Sequence, residues 1–271
     1  MHGILLLAFI LISPAAAAAQ ITDLGPRVFG ASTHAAGFGP GADGRLQAYV
    51  LQDGALDDGK TPAHLMVADV ETGKVAHILV LPGTEGAWGL TVATDGRVYV
   101  GAYRNGHVYR YVPGGDGITD LGTALPGQTF LYGLCAGPEG GIFGGSFPGA
   151  QVFRFSPERG FDTIGQRPVL PGIHQAPSYV RTVAYDARRR SLYAGTGPGA
   201  QLACIDTESG RTIDVLPAEF RETDFLYGLM TAGSKVLVRL IAPEKGLVLD
   251  VDDSGRARID ATFRMTGLSF C

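Results

Sequence analysis

Four side chains of this sequence carry the groups needed to remove a proton next to a carboxylate. Arg181 is a permanent cation that can hold a carboxylate through paired hydrogen bonds. His34 can take up a proton near neutral pH. Tyr132 and Tyr227 can donate a proton to a leaving oxygen or stack on a sugar ring. We take these four as candidate catalytic residues for β-elimination from a uronic acid.

Three residues are candidates for substrate binding. Arg181 is the first, as the anchor of a carboxylate or sulfate. Trp88, the single tryptophan, can act as a stacking platform for a sugar. His174 lies between Pro171 and Pro177 in a loop that is longer than its counterparts, and long loops on a rigid scaffold often carry function.

Each of these residues also has a purely structural interpretation. Arg181 can pair with an acid of a central channel, and His34 can be a hydrogen-bonded structural histidine or a metal ligand. The aromatic candidates can simply pack the channel entrance, and His174 can be an exposed loop residue. The sequence leaves these alternatives open.

A repeated unit positions the candidates. Residues 88–90 (Trp-Gly-Leu) precede 95–101 (Asp-Gly-Arg-Val-Tyr-Val-Gly), just as 132–134 (Tyr-Gly-Leu) precede 139–145 (Glu-Gly-Gly-Ile-Phe-Gly-Gly). An aromatic-rich strand and a further short strand follow in both copies. The unit recurs about every 40 to 50 residues. Its second strand begins at Leu46, Val98, Ile142, Leu192 and Val236.

Composition and turns favour an all-β fold. The chain has 40 glycines in 271 residues, and dipeptides such as Asp95-Gly96 and Asn105-Gly106 suit tight hairpins. No long segment shows the apolar spacing of a helix. Four hairpin-linked strands repeated in register predict a β-propeller of four-stranded blades. A β-sandwich would not repeat one four-strand pattern.

The two ends of the sequence predict an incomplete ring. Ile21–Gly25 is identical to Ile118–Gly122, an outermost strand, and stands before the first inner strand. Such a strand would close a last blade whose other strands come from the C-terminus. Thr266–Cys271 resembles a sixth inner strand. We expect six or seven blades in the full protein, with a propeller domain over residues 20–271 that is truncated at its C-terminus.

The repeat alignment places one residue of each blade at the channel mouth. In most copies a glycine follows that residue, whereas the fourth copy has Arg181 at the glycine position. Because an arginine there costs packing, Arg181 is the most informative departure from the repeat. The mouth positions in this alignment are His34, Trp88, Tyr132, Val180 and Tyr227.

The N-terminus predicts export. Residues 1–19 contain an apolar run, a Ser13-Pro14 break and an alanine stretch, which together indicate a cleaved signal peptide. We therefore expect a periplasmic or secreted monomer with no stable membrane anchor after cleavage. The formal net charge of −4, without a basic run, argues against nucleic-acid binding. The expected partner is a glycan or another small anionic ligand.

The blade motifs resemble those of secreted seven-bladed propellers that cleave uronate-containing polysaccharides, such as rhamnose–glucuronate lyases. That resemblance implies a site on the channel face built from His, Arg and Tyr, carried here by His34, Arg181, Tyr132 and Tyr227. More distantly, the blades resemble streptogramin-lyase-like and gluconolactonase-like propellers. The acidic ring of the metal lactonases is missing from the mouth positions.

Two further questions stay open from the sequence. We expect no metal held by side chains, but a divalent cation held by carbonyl groups of the central channel would leave no trace in a sequence. The alternatives to a polysaccharide lyase are a lactonase-like hydrolase and a non-enzymatic periplasmic propeller that binds a ligand or a protein. Fold alone does not separate these classes.

Overall fold

The computed structural model describes residues 33–54, 61–172, 178–242, 244–252 and 254–264. These residues form five four-stranded antiparallel sheets, and the strands of each sheet pair in chain order. Two short 3-10 turns, Pro138–Gly140 and Ala218–Phe220, are the helical elements of this part of the chain. The predicted β-propeller of four-stranded blades is confirmed.

We number the blades one to five along the chain. The innermost strands are β1 (Thr33–Pro40), β5 (Ala87–Val92), β9 (Phe130–Ala136), β13 (Tyr179–Asp186) and β17 (Phe225–Ala232). The second strands are β2 (Leu46–Gln52), β6 (Val98–Ala102), β10 (Ile142–Phe147), β14 (Ser191–Gly197) and β18 (Lys235–Ile241). The third strands are β3 (His64–Asp69), β7 (His107–Tyr111), β11 (Val152–Ser156), β15 (Leu202–Asp206) and β19 (Lys245–Val251). The outer strands are β4 (Val75–Val80), β8 (Ile118–Thr123), β12 (Gly160–Ile164), β16 (Thr212–Asp214) and β20 (Ala257–Phe263).

The hydrophobic cores lie between neighbouring blades. Side chains alternate across each strand, so Val98 and Val100 of blade two pack against blade one, whereas Tyr99 packs against blade three. Similar cores join blade three to blade four and blade four to blade five. Blades two, three and four therefore bury both of their faces, whereas blades one and five each have one neighbouring blade among the described residues. The inner strands contact one another in the order β1, β5, β9, β13 and β17.

Several predictions from the sequence concern residues outside the described ranges. They include the signal peptide at 1–19, the Ile21–Gly25 closing strand and the Thr266–Cys271 segment. The incomplete ring and the truncation rest on these segments and stay predictions. Within the described ranges, no helix has the length and hydropathy that a membrane crossing requires.

Candidate functional site

Every inner strand has a bulge near its start. In blade two, Ala87 pairs with Ala102 and Gly89 with Gly101, so Trp88 is an extra residue on its strand. Such a bulge turns its side chain away from the regular alternation. The residues at this bulge in the five blades are His34, Trp88, Tyr132, Arg181 and Tyr227.

The bulges correct the repeat alignment in blade four. Val180 pairs with Thr196 and Thr182 with Gly195, so Arg181 is the bulged residue. The alignment from sequence, with Val180 at the mouth and Arg181 at the glycine position, is wrong by one residue. Val180 is instead completely buried. The error arises because Thr182 replaces the glycine that marks this position in the neighbouring blades.

The glycine after the bulge allows the inner strands to approach closely. A Cβ atom on Gly133 would lie 2.8 Å from the Thr182 Cα atom, and one on Gly89 would lie 3.2 Å from the Tyr132 carbonyl oxygen. Real Cβ atoms essentially never show the first distance, and the second is tighter than nine in ten of their contacts. Narrow spacing of the inner strands therefore brings the five bulged residues together.

Three aromatic rings surround the Arg181 guanidinium. Its Cζ atom lies 4.3 Å from the centre of the Tyr132 ring, 4.5 Å from that of Tyr227 and 5.3 Å from that of Trp88. Contacts of this kind are worth about 0.5–2 kcal/mol each, and more where water is excluded. The rings hold the cation at the mouth without neutralising it.

Most N–H donors of the Arg181 guanidinium have no hydrogen-bond acceptor among the described residues. Its Nη2 atom donates a hydrogen bond to the Tyr227 hydroxyl at 2.9 Å, and a guanidinium has five N–H donors in all. Among the described residues, no carboxylate forms an ion pair with Arg181. Trp88 adds another donor, because its buried indole Nε1 has no acceptor in the described part of the chain. Donors without acceptors favour a ligand that carries oxygen atoms.

His34 forms a pair with a buried carboxylate. Its Nε2 atom lies 2.6 Å from Asp53 Oδ2, and the Asp53 side chain is fully buried. The Ala87 amide donates to the other carboxylate oxygen at 3.2 Å, which fixes the orientation of Asp53. The His34 ring packs 5.2 Å from the Trp88 ring, centre to centre. Trp88 therefore contacts both His34 and Arg181.

A cavity of about 250 Å³ opens at this mouth. It is lined by Trp88, Tyr132, Tyr179, Arg181, Phe225 and Tyr227. Burial raises the pKa of Tyr132 well above its usual range, so its hydroxyl remains protonated at neutral pH. The cavity thus combines apolar ring faces, one cation and neutral hydroxyl groups. This is the composition expected for binding a ring-shaped ligand that bears an anionic group.

The structure brings together five of the six candidate residues: His34, Trp88, Tyr132, Arg181 and Tyr227. The sixth, His174, lies outside the described residues. The sequence analysis missed Asp53, Tyr179 and Phe225. The repeat alignment contains a signal for Asp53. It follows the last paired residue of the second strand in blade one, and the equivalent position in blade two is Tyr103, so an acid replaces an aromatic residue there.

A side-chain metal site is not found in the described ranges. No group of three or more His, Cys, Asp or Glu residues there is placed to hold an ion. The cysteines Cys135 and Cys204 are free thiols, and burial raises the pKa of the Cys135 thiol to about 12.

Comparison with known proteins supports the fold. No family model and no curated protein matches the sequence. Among solved structures, a catalytically inactive histidine-to-alanine variant of virginiamycin B lyase from Staphylococcus aureus with quinupristin is similar at a TM-score of 0.64 and 18% identity, over 86% of this chain and 70% of that chain. A streptogramin B lyase is similar at a TM-score of 0.63 and 13% identity, over 87% of this chain and 72% of that chain.

A propeller of another kind is about as similar. The Cps50 (Swd1) β-propeller domain of Myceliophteria thermophila matches at a TM-score of 0.61 and 16% identity, over 86% of this chain and 73% of that chain. At such low identities the likeness establishes the β-propeller fold alone. Function depends on the residues at the mouth rather than on the fold.

Proposed function

We propose that this propeller is an exported lyase that cleaves uronate-containing glycans by β-elimination at the mouth of its channel. The observation that carries the proposal is the placement of Arg181 among three aromatic rings, without a carboxylate partner in the described chain. The His34–Asp53 pair packs against the same tryptophan, so a candidate base and the cation both contact Trp88, which lines the cavity.

Arg181 would hold the substrate carboxylate. The Tyr132 and Tyr227 rings lie against the guanidinium, and one of its five donors is used by the Tyr227 hydroxyl. The remaining donors can bind both oxygens of a carboxylate in one plane. Charge neutralisation by Arg181 would also stabilise the negative charge that builds up on the carboxylate when the neighbouring proton leaves.

His34 would remove the C5 proton of the uronate. The Asp53 carboxylate binds the Nε2 side of the ring, and Nδ1 would be the nitrogen that takes up the substrate proton. The buried carboxylate then stabilises the imidazolium that forms. Orientation of a histidine by a carboxylate is the arrangement that general bases commonly use.

A mouth tyrosine would complete the reaction. The electron pair of the broken C5–H bond forms the C4–C5 double bond, and the C4–O glycosidic bond breaks. Tyr132 or Tyr227 would give its hydroxyl proton to the leaving oxygen. The raised pKa of Tyr132 keeps that proton in place until the leaving oxygen becomes basic.

The structural neighbours are compatible with this chemistry. Virginiamycin B lyase is a lyase on a similar propeller, and the variant solved with quinupristin is a histidine-to-alanine variant without activity. This likeness supports a histidine-dependent lyase but says nothing about the glycan. The signal peptide proposed at residues 1–19 would place the protein where polysaccharides are encountered.

The test is the appearance of unsaturated uronate, which absorbs in the near ultraviolet. Purified protein is incubated with a panel of glucuronate-bearing glycans and with carboxyl-reduced versions of the same glycans. We expect absorbance to rise only with the carboxylated substrates. Binding without any rise in absorbance would favour a non-enzymatic ligand-binding propeller instead. Hydrolysis of a lactone that stops on chelation, without unsaturated product, would favour a lactonase-like hydrolase.

A further inference from the structure

A second set of aromatic rings borders the mouth, at the first residues of three inner strands. Two positions before the bulge, blades three, four and five have Phe130, Tyr179 and Phe225, each of which is partly exposed. Blade two has Gly86 at this position, and a Cβ atom there would overlap the Tyr103 ring, which fills the same place. We call Phe130, Tyr179 and Phe225 the outer rings of the mouth.

Phe130 is the outer ring that other rings enclose most. It lies parallel to the Tyr103 ring at 5.5 Å and to the Tyr132 ring at 5.9 Å, centre to centre. The Phe147 ring meets it edge-on at 5.1 Å. Because these contacts use its surface, Phe130 serves the packing of the mouth.

Phe225 has much less ring contact. Its neighbour among the rings of the described chain is Tyr179, at 6.1 Å and tilted by 60°. One side of the Phe225 ring packs over Gly197, where a Cβ atom would overlap it. The ring also lines the cavity that contains Arg181. A ring face therefore remains for contact with a ligand.

Tyr179 is held in place beside Phe225 by two other rings. Phe147 stacks on it at 4.5 Å with an angle of 24° between the planes. Tyr132 meets it edge-on at 5.2 Å. Rings that are already fixed lose little freedom when a ligand binds, which favours affinity. Tyr179 and Phe225 thus form a preorganised pair of rings in one cavity.

This side of the cavity is uncharged. Of the six residues that line the cavity, Arg181 is the one with a charged side chain, and Tyr179 and Phe225 contribute ring surface and a single hydroxyl. Partly exposed apolar surface beside a polar anchor is typical of ligand-binding grooves. A ligand that carries its anionic group to Arg181 would therefore place an uncharged part on the two rings.

We propose that Tyr179 and Phe225 form a second subsite, which holds an uncharged ring joined to the uronate through its C1 atom. In the proposed reaction the C4 oxygen lies at a mouth tyrosine, and C1 is at the opposite end of the sugar ring. The chemistry recognised is an apolar ring face, of a sugar or of an aromatic group. This inference rests on the proposed binding of the uronate carboxylate by Arg181.

Calorimetric titration tests the subsite with three ligands: methyl β-glucuronide, phenyl β-glucuronide, and a disaccharide in which glucuronate is linked through C1 to glucose. None of them has a glycosidic bond at C4 of the uronate, so binding is measured without cleavage. We expect at least one ring-bearing ligand to bind about fivefold or more tightly than the methyl glycoside, because a ring face is buried. The tighter of the two shows whether an aromatic group or a sugar is preferred.

Phe225→Leu keeps an apolar side chain but removes the flat ring, and should bring the ratio of affinities close to one. Phe38→Leu is the matched control, since Phe38 is 63% exposed and does not line the cavity, and should leave the ratio unchanged. Thermal unfolding of both variants verifies that they are folded.

The outcomes separate this subsite from the proposed function. Equal affinity for the three ligands would overturn the subsite and leave the role of Arg181 intact. The full preference for a ring in Phe225→Leu would overturn it as well. Absence of binding for all three glucuronides would overturn both the subsite and the role of Arg181 as the carboxylate anchor.

Discussion

Blades two and four share one four-stranded pattern but differ at the channel mouth and at the opposite face of the propeller. At the mouth, blade two has Trp88 in the bulge, whereas blade four has Arg181. At the opposite face, the Tyr99 hydroxyl donates to a carbonyl of the next blade, whereas the Tyr193 hydroxyl interacts with the Cys204 thiol of its own blade. Both departures of blade four border a cavity.

This comparison distinguishes residues that hold the blades together from residues that are candidates for function. Positions that the blades share, such as the buried tyrosines of the second strands and the glycine after the bulge, hold neighbouring blades together. At the mouth, where blade four has Arg181 in the bulge, guanidinium donors remain without acceptors among the described residues. Such departures are easy to recognise in a repeat fold, because the other blades show which residue is usual at each equivalent position.

The largest expected effect is on the elimination rate when His34 is replaced. In blade one this histidine occupies the bulge position that is aromatic in blades two, three and five. Replacing it by alanine should lower the elimination rate about 10²–10⁴-fold, the usual contribution of a general base. Substrate affinity should change little, since Arg181 and the rings are untouched. The rate is measured by ultraviolet absorbance at saturating substrate. Asp53→Asn should lower the rate as well, and a His34→Ala enzyme with full activity would remove His34 from the mechanism.

Alkaline pH tests the burial of tyrosine hydroxyl groups in blades one and two. Burial raises the pKa of Tyr49 and Tyr103 to about 12, above the value of about 10 in an unfolded chain. The folded protein keeps protons that the unfolded chain loses, so this stability is complete below about pH 10 and is lost as the pH rises toward about 12. A tenfold difference in proton affinity between the folded and unfolded chains corresponds to about 1.4 kcal/mol.

The measurement is the urea midpoint of unfolding across that pH range. We expect the midpoint to fall steeply above about pH 10, and to fall less in Tyr103→Phe, which lacks one of the protons. A midpoint that does not respond to alkaline pH would mean that the tyrosine hydroxyl groups are not buried in the folded protein.

A smaller effect is expected at the glycine after the bulge. Gly133→Ala should reduce the free energy of unfolding by about 1–3 kcal/mol, because the new methyl group meets the Thr182 backbone. Gly117 is the matched control, since a Cβ atom there meets nothing within 4 Å. Equal unfolding curves for Gly133→Ala and Gly117→Ala would show that the inner strands are not packed so closely.

The smallest expected effect is a difference in the free energy of unfolding between the Tyr99→Phe and Tyr193→Phe variants. Tyr99→Phe removes a formed hydrogen bond and should cost about 0.5–1.5 kcal/mol of stability. Tyr193→Phe removes a hydroxyl whose partner is the Cys204 thiol, a weak acceptor, and should leave stability nearly unchanged. Chemical denaturation of both variants provides the comparison. Equal losses would indicate that the Tyr193 hydroxyl is bound as strongly as the Tyr99 hydroxyl.

The blades could be predicted from the sequence because their signals are local. Hairpin dipeptides such as Asp95-Gly96 and alternating strands such as 98–101 recur at a regular spacing. The second strands begin within one residue of their predicted positions. The mouth could be predicted in outline, since repeat position alone selected His34 and Trp88.

The remaining features depend on contacts between blades, which a sequence does not display. The position of Arg181 was wrong by one residue because a bulge is invisible without strand register. Asp53 was missed because its partner His34 lies on another strand. The cavity that Tyr193 lines is formed by residues of two blades, and no pattern around Tyr193 itself reveals that.

Trp88 fluorescence measures the central claim, that Arg181 holds a carboxylate at the mouth. Trp88 is the single tryptophan and contacts Arg181, so a bound ligand should change its emission. The titration uses a glucuronate-bearing oligosaccharide and its carboxyl-reduced form, with the Arg181→Gln variant in parallel. We predict a saturable change only for the carboxylated ligand with the unaltered protein. An equal response to the neutral ligand, or an unchanged response in Arg181→Gln, would contradict this role of Arg181.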